Sequence, residues 1–271
     1  MKTLDMAKYR PFARMGKTCE TRRIKEKKIT WPLEIGEQDI HGGKYKIRAL
    51  KRGDIDQVTE LWRAAYPEVY GSTHDWILYP EKYEERVALA ENWDRDCTQK
   101  MYAMYVGEDR ETGQIIQAWQ FTKFDQNLQI EASFFGMHPD YRQGKEGREV
   151  WTIVAGMDKW MQDSGAEYFT VFCETWHSIT QYICFKRMGW KVAGIFPGNF
   201  TRWNGEQEEY RGCTVHFYKL INDGEKYSTK REEWQLLPEV SRLWDCLAEI
   251  NELSEDTGIF GKDKPPVVAG D

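Results

Sequence analysis

The chain contains no C-x-x-C pair, no H-x-x-x-H or H-E-x-x-H spacing and no apolar run approaching the roughly 18 residues of a membrane-spanning helix. The first absence matters because six cysteines (Cys19, Cys97, Cys173, Cys184, Cys213, Cys246) lie scattered over 271 residues. That pattern argues against a zinc site or a disulfide framework and for reduced, mostly structural thiols, as in the cytoplasm. The second absence leaves no helix face with two ligands on it, so no metal is expected. The third, with no apolar signal region at the front, argues against export and against a membrane partner. Internal repeats are also lacking.

What is present is a globular composition, 41% hydrophobic and 30% charged with mean hydropathy −0.72. It can bury a sizeable core without covalent staples, and one folded unit with decorations is expected. The net charge of −6 conceals an asymmetry: residues 1–30 hold ten Lys/Arg, Arg14, Arg22, Arg23, Lys27 and Lys28 among them, against Asp5, Glu20 and Glu26. This basic arm is read as packing on the acidic remainder or on a second subunit, so nucleic acid is not expected as a partner.

Periodicity predicts a strand over 44–50, a helix from an Asp54 N-cap through Ala64, and a second helix over 81–93. A hairpin follows, with strands at 101–106 and 115–124, then a strand over 128–137. The helix that comes next carries Val150, Trp151, Val154, Met157, Trp160 and Met161 three and four apart. A strand at 168–173, a helix over 179–188 ending at Gly189, and strands at 190–196 and 214–221 complete the pattern. Residues 229–253 have helical spacing broken at Pro238, and 261–271 read as a tail.

The informative stretch runs from Glu131 to Gly147. A strand enters Tyr141-Arg142-Gln143-Gly144-Lys145-Glu146-Gly147 and leads into a helix, which aims consecutive backbone N–H groups outward at a positive helix end and suits a phosphate. Neither G-x-x-x-x-G-K-[ST] nor G-x-G-x-x-G occurs there, so the signal is for a pyrophosphate-containing cofactor rather than a nucleoside triphosphate or dinucleotide.

Met137-His138-Pro139-Asp140-Tyr141-Arg142, with the glycines after it, a helix, a buried strand and a helix closing on Met188-Gly189-Trp190, resembles the GNAT acyl-CoA N-acyltransferase superfamily. The resemblance spans roughly Lys46 to Leu220. It implies an α/β fold of GNAT type, a mixed, mostly antiparallel twisted sheet flanked by helices. Residues 1–45 would form a basic N-terminal extension, 46–221 the acyltransferase domain and 222–271 a C-terminal helical extension and tail. It further implies transfer of an acyl group, most simply acetyl from acetyl-CoA, by direct attack of a primary amine carried on a small molecule or a protein. The cofactor pyrophosphate would lie on Arg142, Gln143, Gly144, Lys145, Glu146 and Gly147, with Phe135 and Met137 offering backbone groups to the pantetheine arm. Three positions depart from the family pattern: Lys145 replaces the usual glycine, Ser178 stands where asparagine is frequent, and Phe185 stands where many members carry a tyrosine acid. Tyr182, one turn earlier, is the candidate to replace that tyrosine. These departures motivate the alternative of a non-catalytic acyl-CoA-binding or scaffold protein.

Acyl transfer to an amine needs a base. Glu131 lies eleven residues before Arg142, the spacing at which the histone-acetyltransferase branch of the family places its catalytic glutamate. The competing reading is a strand carboxylate in a surface salt bridge. His177 is the second candidate, with an ordinary pKa of ~6.5, and Cys184 reads as a small helix-core residue. Finally, Trp234, Leu236, Leu237, Leu243, Trp244 and Leu247 are apolar enough to require burial, and a homodimer through this segment is expected.

Overall fold

The computed structural model describes residues 16–23, 25–35, 39–40, 42–142 and 157–256. One sheet holds nine strands among these residues: β1 (Asp39–Ile40), β2 (Tyr45–Ala49), β3 (Val87–Ala88), β4 (Tyr102–Asp109), β5 (Ile115–Phe124), β6 (Gln129–Met137), β7 (Tyr168–Glu174), β8 (Lys191–Trp203) and β9 (Glu209–Leu220). The helices are α1 (Ile55–Ala65), α2 (Tyr83–Arg86), α3 (Trp93–Gln99), α4 (Met157–Asp163), α5 (Ile179–Lys186) and α6 (Pro238–Asn251). Strand order is β1-β2-β4-β5-β6-β7-β9-β8, with β3 beside β4. The β6–β7 and β3–β4 pairs are parallel and the rest antiparallel. The expected mixed, mostly antiparallel sheet flanked by helices is therefore what the chain forms.

Two apolar layers enclose the sheet. Ile55, Val58, Leu61 and Trp62 recur three and four apart on α1 and bury against Val106 and Ala118 on one face. Trp119, Phe121, Ile130 and Phe169 cover the other face, where Trp160 of α4 and Ile183 of α5 pack. β5 is central and buried on both faces up to Lys123, with Gln117, Gln120, Thr122 and Lys123 buried among its apolar residues.

Asp54 does stand at the N-cap of α1, but its side chain makes no cap bond. Its carboxylate instead accepts both Arg48 guanidinium nitrogens, at 2.5 and 2.9 Å, and the Lys51 amide at 2.8 Å. The helix expected over 81–93 is broken. Val87, Ala88 and Leu89 are three consecutive buried residues, a strand-like pattern, and Val87–Ala88 pair with β4 between α2 and α3. The last hairpin is longer than its apolar core suggested, because polar residues continue β8 to Trp203 and begin β9 at Glu209. The helix expected around Val150 is described from Met157 on, and the turn Gln143–Gly147 lies outside the described residues.

Described residues of both flanking segments pack on this body. Ile29, Trp31 and Ile35 are fully buried in the main core, and the Lys123 ammonium reaches the carbonyls of Ile29, Thr98 and Cys97 at 2.7, 2.8 and 3.2 Å. Arg22 makes a two-pronged ion pair with Glu167 at 2.5 and 2.7 Å, so basic groups of the arm meet acidic groups of the body. At the other end, Asn251 bonds both backbone groups of Val192 on the outer strand, and Ser254 bonds the carbonyls of Phe185 and Trp190. No described helix is long and apolar enough to cross a membrane.

Candidate active site

A one-residue irregularity in β6 builds the site. Phe121 pairs with Ala132 and Gln120 with Phe134, leaving Ser133 unmatched, a β-bulge. Before the bulge Ile130 and Ala132 face α4 and α5; after it Phe135 and Met137 do, while Phe134 faces α1. The bulge thus lets Glu131, Ser133 and Phe134 all point to the α1 side. Gly136 follows, where α1 comes so close that a Cβ would sit 2.6 Å from the Trp62 ring and 2.7 Å from Leu61.

The same distortion parts the sheet. The β6–β7 ladder ends at Ala132 opposite Val171, whereas β6 continues along β5 to Met137 and β7 continues along β9 to Glu174. The two strands diverge around a cavity of about 110 Å3. One half is apolar, with Trp119, Phe135, Val171, Ile183, Cys184 and Trp190. The other, on the α1 side, gathers Tyr66, His74, Glu131, Phe134, Phe172, Glu174, Phe200 and Arg202. The opening therefore passes through the sheet from one face to the other.

Electrostatics differ between the halves. Burial pushes the Glu131 carboxyl up, and the Ser133 hydroxyl, donating to it at 3.0 Å, offsets part of that rise. Thr122 holds Ser133 in turn at 2.8 Å. Burial also raises Glu68, with Arg202 pulling it down and Glu174 pushing it up. His74 is pushed below its ordinary value by burial and by Arg202, and its Nδ1 is buried without a hydrogen-bond partner. Arg202 is almost wholly buried and forms an ion pair with Glu174. Tyr66 donates to the Phe135 carbonyl at 2.6 Å, and burial keeps its phenol protonated.

Of the residues singled out by sequence, Glu131, His177, Cys184 and Phe135 line the cavity. Met137 lies at the end of β6, its carbonyl accepting from Arg142 Nε at 3.0 Å. Tyr182 is not among the lining residues; its hydroxyl accepts from the buried Arg187 at 2.9 Å. Ser178 precedes α5 and is exposed, and Phe185 packs half-buried against the core. Tyr66, Glu68, His74, Glu174 and Arg202 were not anticipated. They come from a run of short turns after α1, from the end of β7, and from the polar continuation of β8, none of which bears a motif.

No protein-family model and no curated protein matches the chain. Solved structures do. The ribosomal-protein-S5-alanine acetyltransferase from Vibrio fischeri is 11% identical and covers 68% of this chain and 96% of its own, with a TM-score of 0.50. A GCN5-related N-acetyltransferase from Brucella melitensis, 12% identical, covers 84% of this chain and 98% of its own at 0.47. Mutant forms of the spermidine/spermine N-acetyltransferase from Vibrio cholerae, 13% identical, cover 68% of this chain and 96% of their own at 0.47. The likeness to the Vibrio fischeri enzyme carries the comparison: the chain has the fold of the GNAT acyl-CoA N-acyltransferase superfamily.

Proposed function

We propose that the protein is an acyl-CoA-dependent N-acyltransferase, most simply moving acetyl from acetyl-CoA to a primary amine by direct attack. The observation that carries this reading is the parted β6–β7 pair, with a carboxyl raised toward neutrality on one side of the gap and an apolar passage on the other. A coenzyme A thioester bound along the apolar half supplies an acyl carbon open to attack and a thiolate leaving group. Arg142 and the backbone of Phe135 and Met137 are the groups that would hold it. Glu131 is the base: it takes the proton of the incoming ammonium, and burial raises its pKa, the direction that makes a carboxylate a stronger base. Ser133 fixes the carboxylate by its hydrogen bond. As the N–C bond forms and the C–S bond breaks, the first proton leaves on Glu131 and the second neutralises the thiolate. A thiol with a free pKa of ~8.5 is a tolerable leaving group, so a Tyr182 hydroxyl engaged by Arg187 is not required as the acid. His74, pushed below its ordinary value by burial, is a second base on the same wall, and His177 also lines the cavity.

The reading includes residues 46–221 as the transferase domain, a cytoplasmic location and a homodimer through α6, where Leu237 and Leu243 are 70% and 60% exposed in the single chain. Calorimetry with acetyl-CoA, together with thiol release over a panel of amines, tests it. Micromolar binding with amine-dependent thiol release is expected. Binding without transfer to any amine would favour a non-catalytic acyl-CoA-binding protein, and no binding would remove the proposal.

A further inference from the structure

The α1 side of the cleft is an aromatic floor rather than a generic polar pocket. Six rings form one connected surface leading out of the gap. Phe134 meets His74 at 5.2 Å, His74 meets Phe200 at 6.1 Å, and Phe200 meets Phe172 at 5.9 Å. Phe172 stacks on His216 at 4.4 Å and 11°, and His216 meets Phe196 at 5.4 Å. Five of the rings are half-buried and Phe196 is 42% exposed, so their faces and edges are within reach of a ligand. Two polar atoms in this floor, His74 Nδ1 and His216 Nε2, are buried without hydrogen-bond partners. The one cation among the described lining residues, Arg202, is engaged by Glu174 and lies over the Phe200 ring at 4.8 Å.

We propose that the acceptor is an arylalkylamine: a flat aromatic body with the amine on a short alkyl arm. This rests on the acyltransferase reading above and names the acceptor class of the same site. An aromatic body lies against Phe200 and Phe172 with the offset-stacked or edge-to-face contacts that rings favour. The amine arm then points into the gap toward Glu131. A carboxylate-bearing acceptor such as a free amino acid finds its guanidinium already occupied.

The test compares 2-phenylethylamine, 4-hydroxyphenylethylamine, n-butylamine and spermidine as acceptors with acetyl-CoA. It is paired with calorimetric titration of the same amines into the full-length protein alone. The aromatic amines are expected to exceed n-butylamine in kcat/KM by about tenfold or more, as stacking predicts. Phe200→Leu, which keeps apolar volume and deletes the ring, should raise KM for the aromatic amines about three- to tenfold with a smaller change in kcat. Its KM for n-butylamine should change less than that for the aromatic amines. Equal or better use of spermidine or n-butylamine overturns the inference, as does a Phe200→Leu enzyme with unaltered aromatic KM. If no amine is acetylated, the titration still decides: ring-dependent binding weakened by Phe200→Leu supports the aromatic site while the transferase reading fails. No preference for the aromatic amines in binding overturns the inference.

Discussion

Replacing Arg202 by methionine should be the most damaging single change in the cleft that leaves its volume nearly intact. The guanidinium is 5% and the Glu174 carboxylate 15% exposed, so the pair is largely withdrawn from water, and Glu68 lies close enough for its own carboxyl to respond to both partners. Removing the cation strands Glu174 beside another acid. Breaking a buried pair in this way costs about 3–5 kcal/mol. At about 2–4 °C per kcal/mol for a domain approaching this size, Tm should fall by about 6–20 °C at pH 8. The loss should depend on pH. Arg202 pulls down the Glu68 carboxyl that burial raises, so without it the folded-state pKa of Glu68 rises further above its unfolded value near ~4.3. The variant therefore keeps its stability below that value and loses it as pH rises through the raised one. Thermal unfolding at pH 5 and pH 8 measures the slope. Glu174→Gln combined with Arg202→Met should recover most of the deficit, since a neutral, well-packed replacement of both partners leaves no stranded charge. A deficit below about 1 kcal/mol, equal at both pH values, would place the pair in the range of screened surface bridges and refute the desolvated cleft.

Four further outcomes are expected. Glu131→Gln should lower kcat by about 10²–10⁴ with little change in acetyl-CoA affinity and partial recovery at high pH. Because burial raises the folded pKa of Glu131, its charge opposes folding as pH rises past the unfolded value. The glutamine variant should therefore gain stability relative to the native protein at pH 8 and show no gain at pH 4, read by thermal unfolding. Gly136→Ala drives a methyl into Trp62 and Leu61 and should cost about 1–3 kcal/mol in denaturant unfolding. Lys123→Met removes the donor shared by the carbonyls of Ile29, Thr98 and Cys97, of which Cys97 keeps the Trp31 amide, and should cost about 1.5–3 kcal/mol. Burial lowers the folded pKa of Lys123, so native stability carried by this group should rise with pH between that lowered value and ~10.4. Leu237→Ser with Leu243→Ser should halve the particle mass in light scattering, and an unchanged mass would remove α6 as a dimer surface.

The scaffold was legible because its signals are local and periodic. The apolar run of β7, the three-and-four spacing of α1 and the glycine after α5, where Gly189 takes φ 66°, each declare an element within a few residues. Strand-forming Val87–Leu89 was misread as helix because its partner, β4, lies more than ten residues away along the chain. The bulge at Ser133 was invisible for a related reason. A bulge is a mismatch between two strands, and neither β5 nor β6 alone encodes it. Glu131 could be found because its place is tied to the Pro139-to-Arg142 turn by a fixed spacing. His74, Glu174 and Arg202 could not, since their burial and mutual influence arise only when the turns after α1 pack against β8. The tyrosine position was legible as a departure, Phe185 in its place. The structure then shows the nearby Tyr182 hydroxyl bonded to Arg187.

The central claim, that acyl transfer takes place where β6 and β7 part, is tested most directly by a structure of the protein with acetyl-CoA. The account predicts the pantetheine arm between β6 and β7, the thioester carbon on the Glu131 side of the gap, and the pyrophosphate at Arg142 and the turn through Gly147. A cofactor bound elsewhere with this cleft empty, or one whose thioester points away from Glu131, would contradict it.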